Sequence, residues 1–498
     1  MSPHRLTQSG ALLLAGALFL AGPLAGCAAV GPTYAPPRPT EASAYAMKGD
    51  PAPGQVRLAA PRSGPWWKAL GSPALDQVMG QALADNPTLA AADATLREAQ
   101  DEAAAANGGR YPQLGLSAAY QRERINVAAL GFPGFPSPTI GLYTVGANVS
   151  YDLDLFGGER RRIEAARAQA TAQGWRAQAA YLSLSGQVAQ AAAAIADLNA
   201  RVAALHAVMR DDETDIGIVN AAERAGGDAR SHLLTGRAKL ARDTAALAPL
   251  EAELAAERHA LARLVGRSPD AWTGPDFSLD SFAPPATLNL AVPSELVRRR
   301  PDIQAAEADL HAATAQIGVA TANLYPDVRL VAGITQEALT PQNLPEFPAT
   351  AYNFGPQFSL PIFDGGTLRA KRRAAVEAAR AAEARYRATV VQALTQVADA
   401  LSALAEDDRR VGQLDQAQRL ADASLADTRN AYRLGGAPYA DLVNAQDNLD
   451  ASRRDLVAAQ GQRLADIVTL LAAAAGDWRE APGNPPAGNG VPRSGDGR

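Results

Sequence analysis

The chain has 498 residues, a formal charge of −5 and a single cysteine. That charge leaves no basic footprint for nucleic acid, and one cysteine rules out an intrachain disulfide. No Gly-x-Ser-x-Gly, His-Glu-x-x-His or phosphate-loop spacing occurs, so no enzyme and no cofactor are expected. The five histidines (His4, His206, His232, His259, His311) lack metal-ligand spacing, and solvated or packed side chains are the default for them.

The N-terminus reads as a targeting segment. His4 and Arg5 precede a short apolar run, Ala11 to Leu20, which is too short to span a membrane as a stable anchor. Leu24-Ala25-Gly26-Cys27 follows and resembles a bacterial lipobox. In that reading residues 1–26 are a signal peptide and the Cys27 thiol carries covalent lipid; otherwise a lone cysteine is a small buried hydrophobe. Residues 27–72 are rich in Pro, Gly and Ala and include Trp66-Trp67, as in an extended segment docked by its aromatics.

From residue 73 the chain repeats itself. Asn86-Pro87 to Tyr111-Pro112 matches Arg300-Pro301 to Tyr325-Pro326. Leu155-Phe156-Gly157-Gly158 matches Ile362 to Gly366, and Arg224 to Gly227 matches Arg433 to Gly436. Three ordered landmarks at one offset of about 210 residues mark an internal duplication, with repeats over 73–290 and 291–476 and a disordered tail over 477–498. Each repeat predicts a helix (87–109, 301–323), two strands, a long helix (159–225, 367–434), a Gly-Gly turn and a second helix (229–265, 438–475). Between Gly366 and Gly435 there is no proline and only one glycine, Gly412. Val390, Leu394, Val397, Leu401 and Leu404 form a coiled-coil seam there, and ~70 helical residues make a rod of roughly 100 Å.

The strands alternate strictly. Tyr143, Val145, Ala147, Val149 and Tyr151 are apolar, with Thr144, Gly146, Asn148 and Ser150 between them; 113–121, 328–334 and 352–362 behave alike. This period fits a half-buried soluble sheet and equally a membrane strand; the lipobox and the rods favour the membrane. Four strands cannot close a barrel, since the smallest membrane barrels have about eight, and an open edge is not tolerated in lipid. Several chains must then share one barrel, symmetrically.

Ordered together, Gly31-Pro32-Thr33-Tyr34, Trp66-Trp67, Tyr151 to Gly157, Arg299 to Ile303, Ile317 to Ala320, Tyr325-Pro326, Leu360 to Gly366 and Tyr432 to Gly435 are the residues of a family. The sequence resembles the TolC-like outer-membrane factors, in their lipidated NodT/OprM-type branch. The resemblance implies a mainly α chain with four membrane strands. Three chains would form a homotrimer with a twelve-stranded β-barrel in outer-membrane lipid and a long-helix α-barrel in the periplasm. It implies a passive exit channel of a tripartite efflux system, partnered by a periplasmic adaptor and an inner-membrane RND-type transporter. Ala28, where an aspartate often marks inner-membrane retention, fits outer-membrane sorting. A type I secretion duct and a poreless lipid-anchored coiled coil are the alternatives; the coiled coil has no need of alternating strands.

By the same resemblance Arg224, Gly226, Gly227, Arg433, Gly435 and Gly436 form adaptor-docking tips, although tight reversals need such glycines anyway. Asp441 stands where relatives carry a gate aspartate, and its bland reading is a solvated acid near a helix N-terminus. Asn444 occupies the place of a second aspartate, and His232 is the internal-repeat partner of Asp441; both depart from the family's charge pattern at the gate. Tyr432 and Arg433 are the nearest candidates to bond this gate between chains. Asp152 and Asp154 lack the further ligands of a calcium loop, so lumen-facing carboxylates on the strand are expected there.

Overall fold

Helix starts and stops in this chain are set by proline, glycine and aspartate. In the computed structural model, residues 29–38, 44–45, 47–59, 64–131 and 133–475 are described. The chain opens with a short strand β1, Val56–Leu58, and a 3-10 turn, Trp66–Leu70. Helix α1, Pro73–Asp85, has proline at its first position, and Ser72 caps it by accepting from the Leu75 N–H at 3.3 Å. Helix α2, Pro87–Gly108, also begins on proline and stops ahead of Tyr111-Pro112. Strands β2, Gln113–Arg124, and β3, Thr139–Asp152, follow.

The long helix α3 runs Gly158–Arg224 and returns through α4, Arg230–Val265. After strand β4, Leu288–Leu290, and helix α5, Pro293–Arg299, the second repeat gives α6, Pro301–Ala322, then β5, Asp327–Ala338, and β6, Thr350–Ser359. It ends with α7, Thr367–Arg433, and α8, Tyr439–Ala474. Both long helices have 67 residues, so the expected rods of ~100 Å are present. Asp154 starts α3 by accepting from the Glu159 and Arg160 N–H groups at 2.8 and 3.0 Å. Asp364 starts α7 in the same way, from Gly366 and Leu368 at 2.8 and 2.7 Å.

The chain divides into two compact units that cut across the duplication. Of the described residues, one holds 29–37, 96–173 and 306–386, and the other those between 38 and 95, 174–305 and 387–475. In the first, β2, β3, β5 and β6 form one antiparallel sheet in that order. Its register sets like against like. Leu114 pairs Val149, Ala118 pairs Val145 and Tyr120 pairs Tyr143; Ala147 pairs Ile334, and Ile334 pairs Tyr352. The four alternating patterns therefore merge into one apolar face. The other face carries Ser117, Thr144, Asn148, Thr335 and Asn353 among glycines. Those glycines make room, since a Cβ on Gly115 would meet Asn148 Oδ1 at 2.8 Å, and one on Gly333 would meet Asn353 Oδ1 at 2.5 Å.

The second unit has the hydrophobic core. Trp66 and Trp67 are buried there with Leu70, Leu75, Val78 and Met79, and Trp66 Nε1 donates to Ser185 Oγ at 3.0 Å. The docked-aromatic expectation for this segment holds. Along the seam of α7, Val390, Val397, Leu401 and Leu404 are buried and Leu394 is half-buried. Strand β1 pairs in parallel with β4.

Candidate functional site

Two surfaces stand out, one in each unit. The first is the apolar face of the sheet. Leu114, Leu116, Tyr352 and Phe354 are each at least 77% exposed. Large apolar side chains exposed together on one sheet face mark a membrane or protein contact. At ~3.3 Å per residue and a tilt near 40°, a 12-residue strand rises ~30 Å, the thickness of a bilayer's hydrocarbon layer. Among the described residues β2 and β6 each pair on one side only, and such edges must be satisfied by further strands before the sheet can enter lipid.

The second surface is the pair of hairpin tips. Helix α3 ends at Arg224, and Gly226 turns the chain with φ +77°. The Gly227 N–H donates to Ala222 O and the Gly226 N–H to Glu223 O, both at 2.9 Å. Helix α7 ends at Arg433, with Gly435 at φ +75°. There the Gly436 N–H donates to Ala431 O at 2.8 Å and the Gly435 N–H to Tyr432 O at 2.9 Å. Each pair of bonds is a Schellman motif, which needs a left-handed residue after the helix. Arg224, Arg433 and all four glycines are exposed, and a Cβ on Gly226 or Gly435 would meet nothing within 4 Å. The tips are therefore open as well as tightly turned.

Just inside the tips the two hairpins are bonded together. The Tyr432 hydroxyl donates to Asp228 Oδ2, and Asp228 Oδ1 faces His232 Nδ1 and accepts the Ala229 N–H. His232 stacks on Tyr439 with ring centroids 4.6 Å apart. Burial alone would raise the Asp228 pKa, but the donors Tyr432, Ala229 and His232 hold it below the ordinary carboxylate value. Asp441 and Asn444 are exposed on α8, whereas Leu442, Ala445 and Gln446 are buried. Tyr432, expected to bond the gate between chains, donates here within its own chain to Asp228, which the sequence reading did not single out and whose signal is an acid directly after the Gly-Gly turn.

Further along the hairpins lies a charge cluster that sequence reasoning did not single out. Lys239 Nζ on α4 donates to Asp212 of α3 at 2.6 Å, Asp450 of α8 at 2.9 Å and Asp243 at 3.0 Å. Arg429 donates to Asp215 at 3.0 Å, and Gln446 Nε2 to Asp450 at 2.9 Å. Burial pushes Asp212 up to about 6, against the opposing pull of Lys239. A hint was present in the spacing of Lys239 and Asp243, one turn apart.

One expectation changes and two fall outside the described residues. Asp154 is not a strand carboxylate. It lies past the end of β3 with φ +43°, where the chain turns, and caps α3, while Asp152 Oδ1 accepts the Asp154 N–H at 2.8 Å. Cys27 and the tail beyond residue 475 lie outside the described residues.

The comparisons agree with this geometry. A family model described as outer membrane efflux protein matches residues 78–267 and 292–476. The pyoverdine export outer membrane protein OpmQ of Pseudomonas aeruginosa is 29% identical over 387 residues, 75% of this chain and 81% of the relative. Nodulation protein T of Rhizobium leguminosarum bv. viciae is 27% identical over 407 residues, 80% of this chain and 81% of its own. The solved outer-membrane channel OprN shares the fold with a TM-score of 0.82 at 29% identity, covering 90% of this chain and 99% of that one. With three quarters of its length matched and a sheet built for lipid, the chain belongs to the outer membrane efflux protein family.

Proposed function

We propose that three copies of this chain form one outer-membrane exit duct of a tripartite efflux system, receiving small molecules from an inner-membrane RND-type transporter through a periplasmic adaptor. The observation that carries the trimer is the sheet: among the described residues it has four strands, one exposed apolar face and, at each edge, a strand paired on one side only. Three such sheets joined edge to edge give twelve strands and leave no edge in lipid. The polar, glycine-rich face then lines the pore. Covalent lipid on Cys27 anchors the segment that follows it, described from Ala29 onward.

The hairpin tips dock the adaptor, and the Tyr432–Asp228 bond holds the hairpins in the resting arrangement. Asp441, exposed on α8, appears three times around the axis and attracts cations. The test is planar-bilayer recording on the purified full-length oligomer. Small conductance steps are expected from the parent and larger steps from Tyr432→Phe, which loses the hydroxyl that meets Asp228. A parent that runs as a single chain in mild detergent and never conducts would sink the proposal.

Two variants probe the remaining parts. Gly435→Asp keeps the turn, because the added Cβ meets open space and aspartate enters the left-handed region at a cost of about 1–2 kcal/mol. Efflux should fall at least tenfold while oligomers stay in the membrane, and adaptor crosslinking should be lost; unchanged crosslinking would remove the tip from the docking surface. Cys27→Ser should abolish incorporation of labelled palmitate, and incorporation at the parental level would refute acylation.

A further inference from the structure

In the first unit a cleft of about 450 Å³ opens beside the start of α3, lined by Arg110, Arg160, Glu164, Arg167 and His311 over an apolar floor of Ile163 and Ala168. Its charge does not cancel internally. The Glu164 carboxylate is taken by Arg161 at 2.7 Å and His311 at 2.9 Å. Burial works against its ionised form, yet those two donors hold its pKa below the ordinary value. Arg160 pairs with Asp154 at 3.1 Å, and Glu159 pairs with Arg162. Among the described residues Arg167 donates only to the neutral amide oxygen of Asn107, at 3.0 Å. Arg110 is exposed and has no side-chain partner among the described residues. Two arginines therefore face the cleft without a matching anion among the described residues.

Position selects which anion. Arg110 lies three residues before β2, and α3 begins six residues after β3 ends. At ~1.5 Å per residue, Arg160 and Arg167 leave α3 within about 14 Å of its start. The polar layer on each side of the hydrocarbon is ~5–8 Å deep, and arginine side chains extend toward such a layer. The segment after the anchor cysteine lies against the same helices: Tyr34 stacks on His311 at 4.2 Å, and Arg161 Nε donates to Val30 O at 3.3 Å. An acylated Cys27 would hold that segment on the lipid side of the barrel.

We infer that this cleft binds the phosphate of an anionic phospholipid headgroup in the periplasm-facing leaflet, with Arg110 and Arg167 as its cationic donors. The inference rests on the channel reading, since it is the barrel that brings a headgroup to this height. The experiment reconstitutes the full-length oligomer with equal phosphatidylglycerol and phosphatidylcholine and reads retained lipid by native mass spectrometry. Conductance of the same parental sample tests the channel reading on its own.

The parent should enrich phosphatidylglycerol about tenfold. Arg110→Ala with Arg167→Ala should bring the ratio to parity while the heat-modifiable oligomer persists, and the paired Arg→Lys variant should keep most of the preference. Millimolar inorganic phosphate should not displace the lipid. Equal enrichment in the double alanine variant, or no enrichment by a conducting parent, would overturn the assignment. Displacement by inorganic phosphate would overturn the lipid source and leave a free-phosphate site.

Discussion

An arginine in place of Val145 should keep the protein out of the outer membrane, and an arginine at the neighbouring Thr144 should not. Val145 sits at the middle of β3, on the apolar face, paired with Ala118 on one side and Gln336 on the other. It is 38% exposed in a face that continues through Leu116, Ile334 and Phe354. Burying a guanidinium in mid-bilayer on the lipid face of a barrel costs ~2–4 kcal/mol. A threefold barrel carries that cost three times, enough to abolish a marginally stable assembly. Thr144 points to the other face and pairs with Glu337, so an arginine there lies in the aqueous pore and gains a cross-strand partner. The measurement is the fraction of heat-modifiable oligomer in outer-membrane preparations. Equal loss, or equal tolerance, in both variants would mean that the two faces are not lipid and water.

This contrast rests on a pattern already legible in the chain. Strict alternation fixed which side of each strand is apolar, and the observed register aligns all four patterns on one face. The long helices were legible because their interiors lack breakers, and their ends fall within one residue of those expected. The short elements were not. Helices α1 and α5 are announced by little more than a proline at the first position, joined in α1 by Ser72 ahead of it, and both residues also suit a loop. The parallel pairing of Val56–Leu58 with Leu288–Leu290 joins two three-residue strands far apart in sequence, and no local pattern announces such a contact.

The site divides in the same way. The tip glycines were legible because a Schellman turn demands a left-handed residue. Asp154 was misplaced because strand alternation continues through it, whereas a capping aspartate is recognised only when the start of the next helix is known. Asp228 and the Lys239 cluster depend on which helices become neighbours. Lys239 meets acids of α3, α4 and α8, and only Asp243 lies at helical spacing from it.

Lys239→Met should cost ~3–5 kcal/mol at neutral pH, the usual penalty for removing one partner of a buried charge group. Lysine is 12% exposed, and its partners Asp212 and Asp450 are 2% and 1% exposed. Methionine keeps most of the packing but leaves three carboxylates facing one another across two hairpins. Asp212 is already strained, since burial holds its pKa up at about 6 and its Oδ2 is buried without a hydrogen-bond partner among the described residues. Without the ammonium its pKa must climb further. A carboxyl whose folded pKa lies above its unfolded value of ~3.9 is favoured in the fold when protonated. That advantage is complete below the unfolded pKa and is lost as pH rises through the folded one. The defect of the Met variant should therefore be small near pH 4 and full above pH 7, read as hydrogen exchange around residues 239 and 450 corrected for intrinsic rate. Adding Asp212→Asn and Asp450→Asn should restore most of the protection at pH 8, because no unpaired charge then remains buried. A loss that ignores pH and is not rescued by the asparagines would show that Lys239 acts through packing alone. If the hairpins part when the duct opens, the single variant should also open more often in bilayers, since the ammonium joins helices of both hairpins.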